Sequence, residues 1–284
     1  MKRMCFRKTF SALFGLLLIL STSTFAQETL PDKFKINIGA FFVTDINTTV
    51  SLAKTAGIVG AGARIDFEDQ LGLKDSDTVP RIDGYYRFGK KSRVDFSYWK
   101  IDRETTHVIQ EEISIGDIDP PIQIDETVFT RFDTETLKGS YGFSFYNVPK
   151  AELGLSAGLH ITNVDLEVTD LTGGAGSEQA DAPVPLPVLG FYLRYNISPR
   201  WRFLAHSEWF FLKYDDYEGS LTDVRFNVEH QTFKHAGFGF GFNRIAFDLE
   251  ADNKDDDLRG TVKNVNDGLQ AYVFAAFGTA KYQE

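Results

Sequence analysis

A period of two runs through most of the chain, and this alternation limits what the polypeptide can become. Along Glu152 to Thr162, the residues Leu153, Leu155, Ala157, Leu159 and Ile161 share one face, opposed by Glu152, Gly154, Ser156, Gly158, His160 and Thr162. Successive side chains of a β-strand point to opposite sides, so a segment written this way has one apolar and one polar face. Leu137 to Phe145, Leu189 to Ile197, Ala236 to Phe242, Ile245 to Glu250 and Leu269 to Phe277 repeat the pattern. Phe34 to Phe42, Ile82 to Phe88, Val94 to Tyr98 and Trp201 to Phe211 extend it.

A soluble β-sandwich also alternates. Three further features point instead to strands that face lipid. The apolar faces are aromatic, the polar faces carry glycines such as Gly237, Gly239 and Gly241, and short connections alternate with long ones. A barrel in a bilayer brings all three together. The expected fold is all-β: one antiparallel up-and-down transmembrane β-barrel of 10–12 strands, an even number. Its short periplasmic turns are Gly89–Ser92, Asn147–Lys150, Ser198–Arg200 and Asn243–Arg244. Its long external loops hold Asp45 to Asp77, Ile113 to Glu126, Asp170 to Ala182, Asp215 to Asp223 and Asp252 to Asp267. Both termini are then periplasmic. Thr48 to Ala53 and Ala63 to Phe67 alternate weakly and would raise ten strands to twelve. Arg93 to Ile113 and Val128 to Tyr146 exceed the roughly 9–11 residues a strand needs to cross the hydrocarbon, so their outer parts are expected above it.

Residues 1–26 read as an export signal: Lys2, Arg3, Arg7 and Lys8 precede the apolar Leu13 to Leu20, and Thr24-Phe25-Ala26 suits cleavage. The barrel domain is expected over 27–284. Cys5 and both methionines fall in the signal, so the exported chain holds no sulfur. Removing four of the 30 basic residues leaves 26 against 40 acidic ones, a net charge near −14 that repels nucleic acid.

At membrane depth only the inward face can keep ions, because lipid neither solvates a charge nor satisfies a polar group. In this register Arg81, Asp83, Arg87, Arg93, Asp95, Lys138, Glu152, His160, Arg194, Arg202, His206, Glu208, Asp248 and Glu250 point into the lumen. They read either as a network of ion pairs bracing the wall or as the lining of a narrow polar conduit. Diameter grows with strand number, so ten to twelve strands leave a small lumen.

Catalysis finds little support. His206 is followed by Ser207, which alternation puts on the opposite face, and His160 shares its face with Thr162 without an evident third group. No catalytic residue, metal or cofactor is therefore expected, and the chain reads as a non-enzymatic narrow channel or structural, surface-interaction protein. The alternative is a lipid- or lipopolysaccharide-modifying enzyme at the rim. Asp215-Asp216 reads as a solvated loop tip. In the run Asp252 to Asp257 the sixth position is Asp257 rather than Gly, and the twelfth is Lys263 rather than Glu, which is not an EF-hand. Gly57 to Gly62 lacks phosphate-loop spacing.

Taken with the export signal and the final Leu269 to Phe277 strand, residues 27–284 resemble the small porin-like outer-membrane barrel proteins of Gram-negative bacteria. Ile65 to Leu73 followed by Val79 to Phe88 is similar to a pattern in functionally uncharacterised members. That resemblance implies outer-membrane lipid and lipopolysaccharide as surroundings and the barrel assembly machinery as a partner. Such proteins commonly end on an aromatic residue, whereas here Gly278 to Glu284 follows Phe277.

Overall fold

The computed structural model describes residues 31–54, 64–113, 121–173, 177–214, 217–253 and 258–279. Among them are eleven strands: β1 (Pro31–Lys54), β2 (Arg64–Asp66), β3 (Asp77–Arg87), β4 (Ser92–Val108), β5 (Thr127–Asn147), β6 (Ala151–Asp170), β7 (Ser177–Asn196), β8 (Trp201–Tyr214), β9 (Tyr217–His230), β10 (Ala236–Asn253) and β11 (Leu258–Thr279). Each long strand pairs antiparallel with its neighbours in sequence, and β11 pairs back onto β1 from Phe34↔Phe277 outward. Ten strands thus close a barrel, with the start of β1 beside the end of β11. The short β2 lies against the outer end of β1, Val50 opposite Ile65, and adds no stave to the wall. That is why Thr48 to Ala53 and Ala63 to Phe67 do not raise the count to twelve.

Apart from register shifts in β1 (Pro31/Phe34 and Val43/Asp45) and at the lower end of β5 (Ser144/Tyr146), alternation runs the length of the strands, but the polarity of the two faces inverts part way. In the lower part of β5, Leu137, Tyr141, Phe143 and Phe145 face outward and are exposed, while Lys138, Ser140 and Ser144 are buried inside. Higher up, Arg131, Asp133 and Glu135 face outward, whereas Val128 and Phe132 are buried. β6 passes from outward Leu155, Leu159 and Ile161 to Asn163, Asp165 and Glu167, and from inward Ser156 and His160 to Leu166 and Val168. β4 changes between Tyr98 and Lys100 on the outside and between Ser97 and Trp99 on the inside. Below the change the wall is apolar outside and polar inside; above it the wall is arranged like an ordinary soluble protein.

Above the switch, the lumen is filled by side chains. Phe41, Val43, Ile46, Val79, Trp99, Ile101 and Ile245 form one buried cluster, and Leu186, Val188, Leu221 and Phe247 form another. Residues 64–73 fold over the outer end, where Ile65, Phe67, Leu71 and Leu73 pack with Ile109, Ile122, Val128 and Phe132. Phe67 meets Phe132 edge to face at a centroid distance of 5.5 Å, a favoured aromatic geometry.

Three of the four expected turns lie where sequence places them, between β3 and β4, β5 and β6, and β7 and β8. The fourth is corrected. Asn243-Arg244 is the middle of β10, and the chain reverses instead at residues 231–235, where the Phe233 amide donates to the Ala236 carbonyl at 2.9 Å. Asn243 is a turn former by type, but here its buried side chain donates to Asp223 at 2.7 Å. With no reversal at 243, Phe238, Phe240 and Phe242 continue outward into Arg244, Ala246 and Asp248. The connections 171–176, 215–216 and 254–257 are also shorter than the loops expected there, because the strands climb well above the apolar belt.

Prolines decide where two of the ladders stop. The Phe88 amide donates to Ser92, so even-numbered amides of β3 face β4; Pro80 has no amide to give, and that ladder ends at Arg81↔Trp99. Residues 64–75 fill the seam above it: Arg103 of β4 reaches Glu68, the Thr48 hydroxyl at 2.6 Å and the Lys74 carbonyl at 3.2 Å.

Candidate functional site

The lower lumen holds a layered set of ion pairs. Nearest the short turns, Glu152 of β6 accepts both terminal nitrogens of Arg87 from β3 across the barrel, at 2.8 and 2.9 Å. Its second oxygen also accepts Arg194 Nε of β7 at 3.2 Å, and Ser144 donates to the first. Glu229 of β9 plays the same part on the opposite side, paired with Lys35 of β1, near Arg202 of β8 at 3.6 Å, and accepting the Tyr272 hydroxyl at 2.7 Å. Arg202 further donates to Gln231.

At mid-depth, Asp83 lies 3.2 Å from Arg81 and 3.2 Å from Arg225, and accepts from Asn37. Arg93 pairs with Asp95 at 3.0 Å and stacks over the Tyr192 ring at 3.6 Å, a cation–π contact. Interior glycines make room for these rings: a Cβ on Gly154 would lie 2.1 Å from Tyr192 Cζ, and one on Gly239 would lie 2.4 Å from Tyr272 Cζ. A cavity of about 90 Å³ remains among Lys35, Asp83, Arg93, Tyr192, His206 and Arg225, room for several waters.

Just beneath the apolar core, Glu208 of β8 gathers Lys138 of β5, His160 of β6 at 3.0 Å and His206 at 3.3 Å. Asp223 of β9 lies 3.7 Å from the same lysine nitrogen. Ligating atoms of His160, Glu208 and Asp223 fall within 4.8 Å of one another, a set of the kind that holds a cation. The Lys138 ammonium already supplies a positive charge to both carboxylates. The Arg81 guanidinium, over the Trp99 ring at 4.5 Å, joins this layer to the next through Asn243 at 2.6 Å.

Of the residues expected in the lumen, Arg81, Asp83, Arg87, Arg93, Asp95, Lys138, Glu152, His160, Arg194, Arg202, His206 and Glu208 lie inside and touch one another in these layers. Asp248 and Glu250 do not. They sit on the outer face above the belt, Asp248 paired with Lys263 at 2.6 Å, because β10 runs unbroken past Asn243. Lys35, Asp223, Arg225 and Glu229 complete the network, although sequence reasoning did not select them. Alternation along Leu221 to Glu229 was the available signal, since its odd positions carry Asp223, Arg225, Asn227 and Glu229.

Outside, the region above the belt is acidic. Register sets Asp102 of β4 opposite Asp133 of β5, and Asp133 opposite Asp165 of β6, a row of carboxylates on adjacent strands. Beside it Arg131 links Glu167 at 3.1 Å and Glu104 at 3.5 Å. Residues 1–26, Gly57 to Gly62, Asp215-Asp216 and residues 254–257 lie outside the described residues.

Neither a protein-family model nor a curated protein sequence matches the chain. Among solved structures, the outer membrane protease OmpT from Escherichia coli aligns at a TM-score of 0.52 and 11% identity, covering 90% of this chain and 100% of that one. Ail, the attachment invasion locus protein of Yersinia pestis, aligns at 0.31 with 9% identity over 84% and 99%. The toluene transporter TodX of Pseudomonas putida aligns at 0.33 with 11% identity over 87% and 90%. The first likeness is one of fold, a closed antiparallel barrel; the other two carry no further weight.

Proposed function

We propose that this protein is a non-conducting, non-catalytic outer-membrane barrel of a Gram-negative bacterium that carries a rigid acidic stem above the lipid as a surface-interaction platform. The observation that carries this reading is the inversion of polarity along each strand. The exposed belt from Leu137 to Phe145 and its counterparts suits hydrocarbon, whereas the stem above it suits water and has its own apolar core. The end where β1 begins and β11 finishes is the periplasmic one in this reading, since short turns belong there.

Closure of the lumen favours the structural alternative over a channel. A solute leaving the polar cavity outward would have to displace Trp99, Ile245, Leu221 and Phe247, all buried. The His160–Glu208–Asp223 group fits a bracing role, because Lys138 meets its carboxylates and the same apolar core separates it from the outer mouth. Planar-bilayer recording of the purified protein tests this. No stepwise conductance is expected; large, steady, weakly selective steps would overturn the closed-lumen reading.

A further inference from the structure

The wall between β7 and β8 is unpaired in its upper part. Their ladder runs from Asn196↔Arg202 to Leu189↔Trp209 and stops there, although β7 continues back to Ser177 and β8 on to Tyr214. Sequence accounts for the stop. The Asn196 amide donates toward β6, to the Lys150 carbonyl at 2.9 Å, and β7 pairs with β6 without a register shift. Even-numbered amides of β7 therefore face β6 and odd-numbered ones face β8. The odd positions above Leu189 are Pro187, Pro185 and Pro183. Three successive donors are missing from one edge only, so β7 keeps its bonds to β6 while having no amide to donate to β8.

Unlike the seam at Pro80, no segment among the described residues lies in this one. Its lower end is apolar from outside to inside. Outward-facing Ile161, Pro185 and Pro187 border one side, and Trp209 and Phe211 the other, the last 71% exposed. Behind them stand Val184, Leu186, Val188, Phe210, Leu221 and Phe247. The outward face turns polar only at Asn163 and Lys213, which puts this stretch at the upper margin of the belt.

We infer that the β7–β8 seam is a lateral portal in which the acyl chain of an outer-leaflet lipid lodges against Val184 and Phe210, the partly buried margin of the inner cluster. This rests on the belt being in lipid, as proposed above. A peptide strand could pair with the β8 edge alone, because the proline edge offers no amide. Polar solutes meet only apolar side chains there. A hydrocarbon chain fits both restrictions, and the seam is continuous with the surface that lipid already covers.

The test is photolabelling in vesicles of phospholipid carrying a diazirine in the acyl chain, followed by peptide mapping of wild type and of Pro185→Val/Pro187→Val. Migration on unheated gels checks that both are folded. Labelling is expected on outward belt residues such as Leu137 and Phe143 in both proteins. On Val184 or Phe210, the partly exposed margin of the cluster, it is expected in wild type and should fall to background once donors are restored to the edge. Belt labelling without inner labelling would overturn the portal and leave the membrane reading standing. Absence of labelling on the belt as well would overturn both. Inner labelling that persists in the valine variant would overturn the assignment of the prolines as what keeps the seam open.

Discussion

Glu152→Gln is the perturbation for which the lumen network gives the clearest magnitude. The carboxylate is fully buried and balances two guanidiniums at once, accepting Arg87 at 2.8 and 2.9 Å and Arg194 at 3.2 Å. An amide of the same shape cannot neutralise either, and the substitution leaves two positive charges facing each other away from water. Removing one partner of a buried ion pair destabilises by about 3–5 kcal/mol. With a urea slope of about 2 kcal/mol/M, that corresponds to a fall in unfolding midpoint of about 1.5–2.5 M. Unfolding in lipid vesicles, followed by loss of the compact band on unheated gels, reads this directly. Adding Arg87→Gln to Glu152→Gln should then cost less than Arg87→Gln alone, because the cation it removes has already lost its partner. Lys213→Gln, at an exposed pair with Glu218, is the internal control and should leave the midpoint essentially unchanged. A shift for Glu152→Gln no larger than this control would refute the bracing role.

Gly154→Val places a side chain where Tyr192 stands, 2.1 Å from its Cζ, so the ring must leave its bond to Ser144 at 2.9 Å; overpacking of this kind costs about 1–3 kcal/mol in the same assay. On the stem, Asp133→Asn relieves the row formed with Asp102 and Asp165 and should stabilise by roughly 0.2–1 kcal/mol near neutral pH. Burial, with Asp102 beside it, holds the Asp133 carboxyl above its ordinary value of 3.8. Its penalty is present above the raised value and disappears below the ordinary one, so wild type should gain on the variant as pH falls through that window. Phe277→Ala removes an outward ring stacked on His235 at 5.5 Å and on Phe34 at 6.5 Å where the barrel closes, and should impair membrane assembly in cells. Deleting residues 278–284 should leave assembly intact, and equal effects would contradict the assignment.

Much of the wall was legible because a period of two survives in either solvent. β5 and β6 could be read from alternation alone, and the turns at Gly89, Pro149 and Pro199 carry their own chemistry. The reversal at Gln231-Thr232-Phe233-Lys234-His235 has neither Gly nor Pro, whereas Asn243-Arg244 imitates a turn, so one misplaced reversal carried Asp248 and Glu250 to the wrong face. Glycine and phenylalanine at 237–242 hid the continuity of β10. Partners were the harder problem. Arg87 and Glu152 belong to strands on different parts of the wall, and only closure of the barrel brings them together. The apolar filling of the stem was also hidden, because inward Ile245 and Phe247 look no different in sequence from residues that face lipid. What distinguishes them is the inversion of polarity, visible only once the height of each residue is known. The three prolines of β7 were in plain view, but which neighbour they deprive depends on the direction of each amide.

Because residues 27–284 hold no cysteine, single cysteines at positions 137 to 145, in a chain with Cys5 replaced by Ser, can carry a nitroxide without background. Collision with oxygen dissolved in the bilayer and with a water-soluble nickel chelate then reports the surroundings of each position. Positions 137, 141 and 143 should collide freely with oxygen and hardly with nickel, while 138, 140 and 144 should be shielded from both. Strong nickel collisions at 137, 141 and 143, or protection of those positions from oxygen, would mean that hydrocarbon does not cover this face of β5.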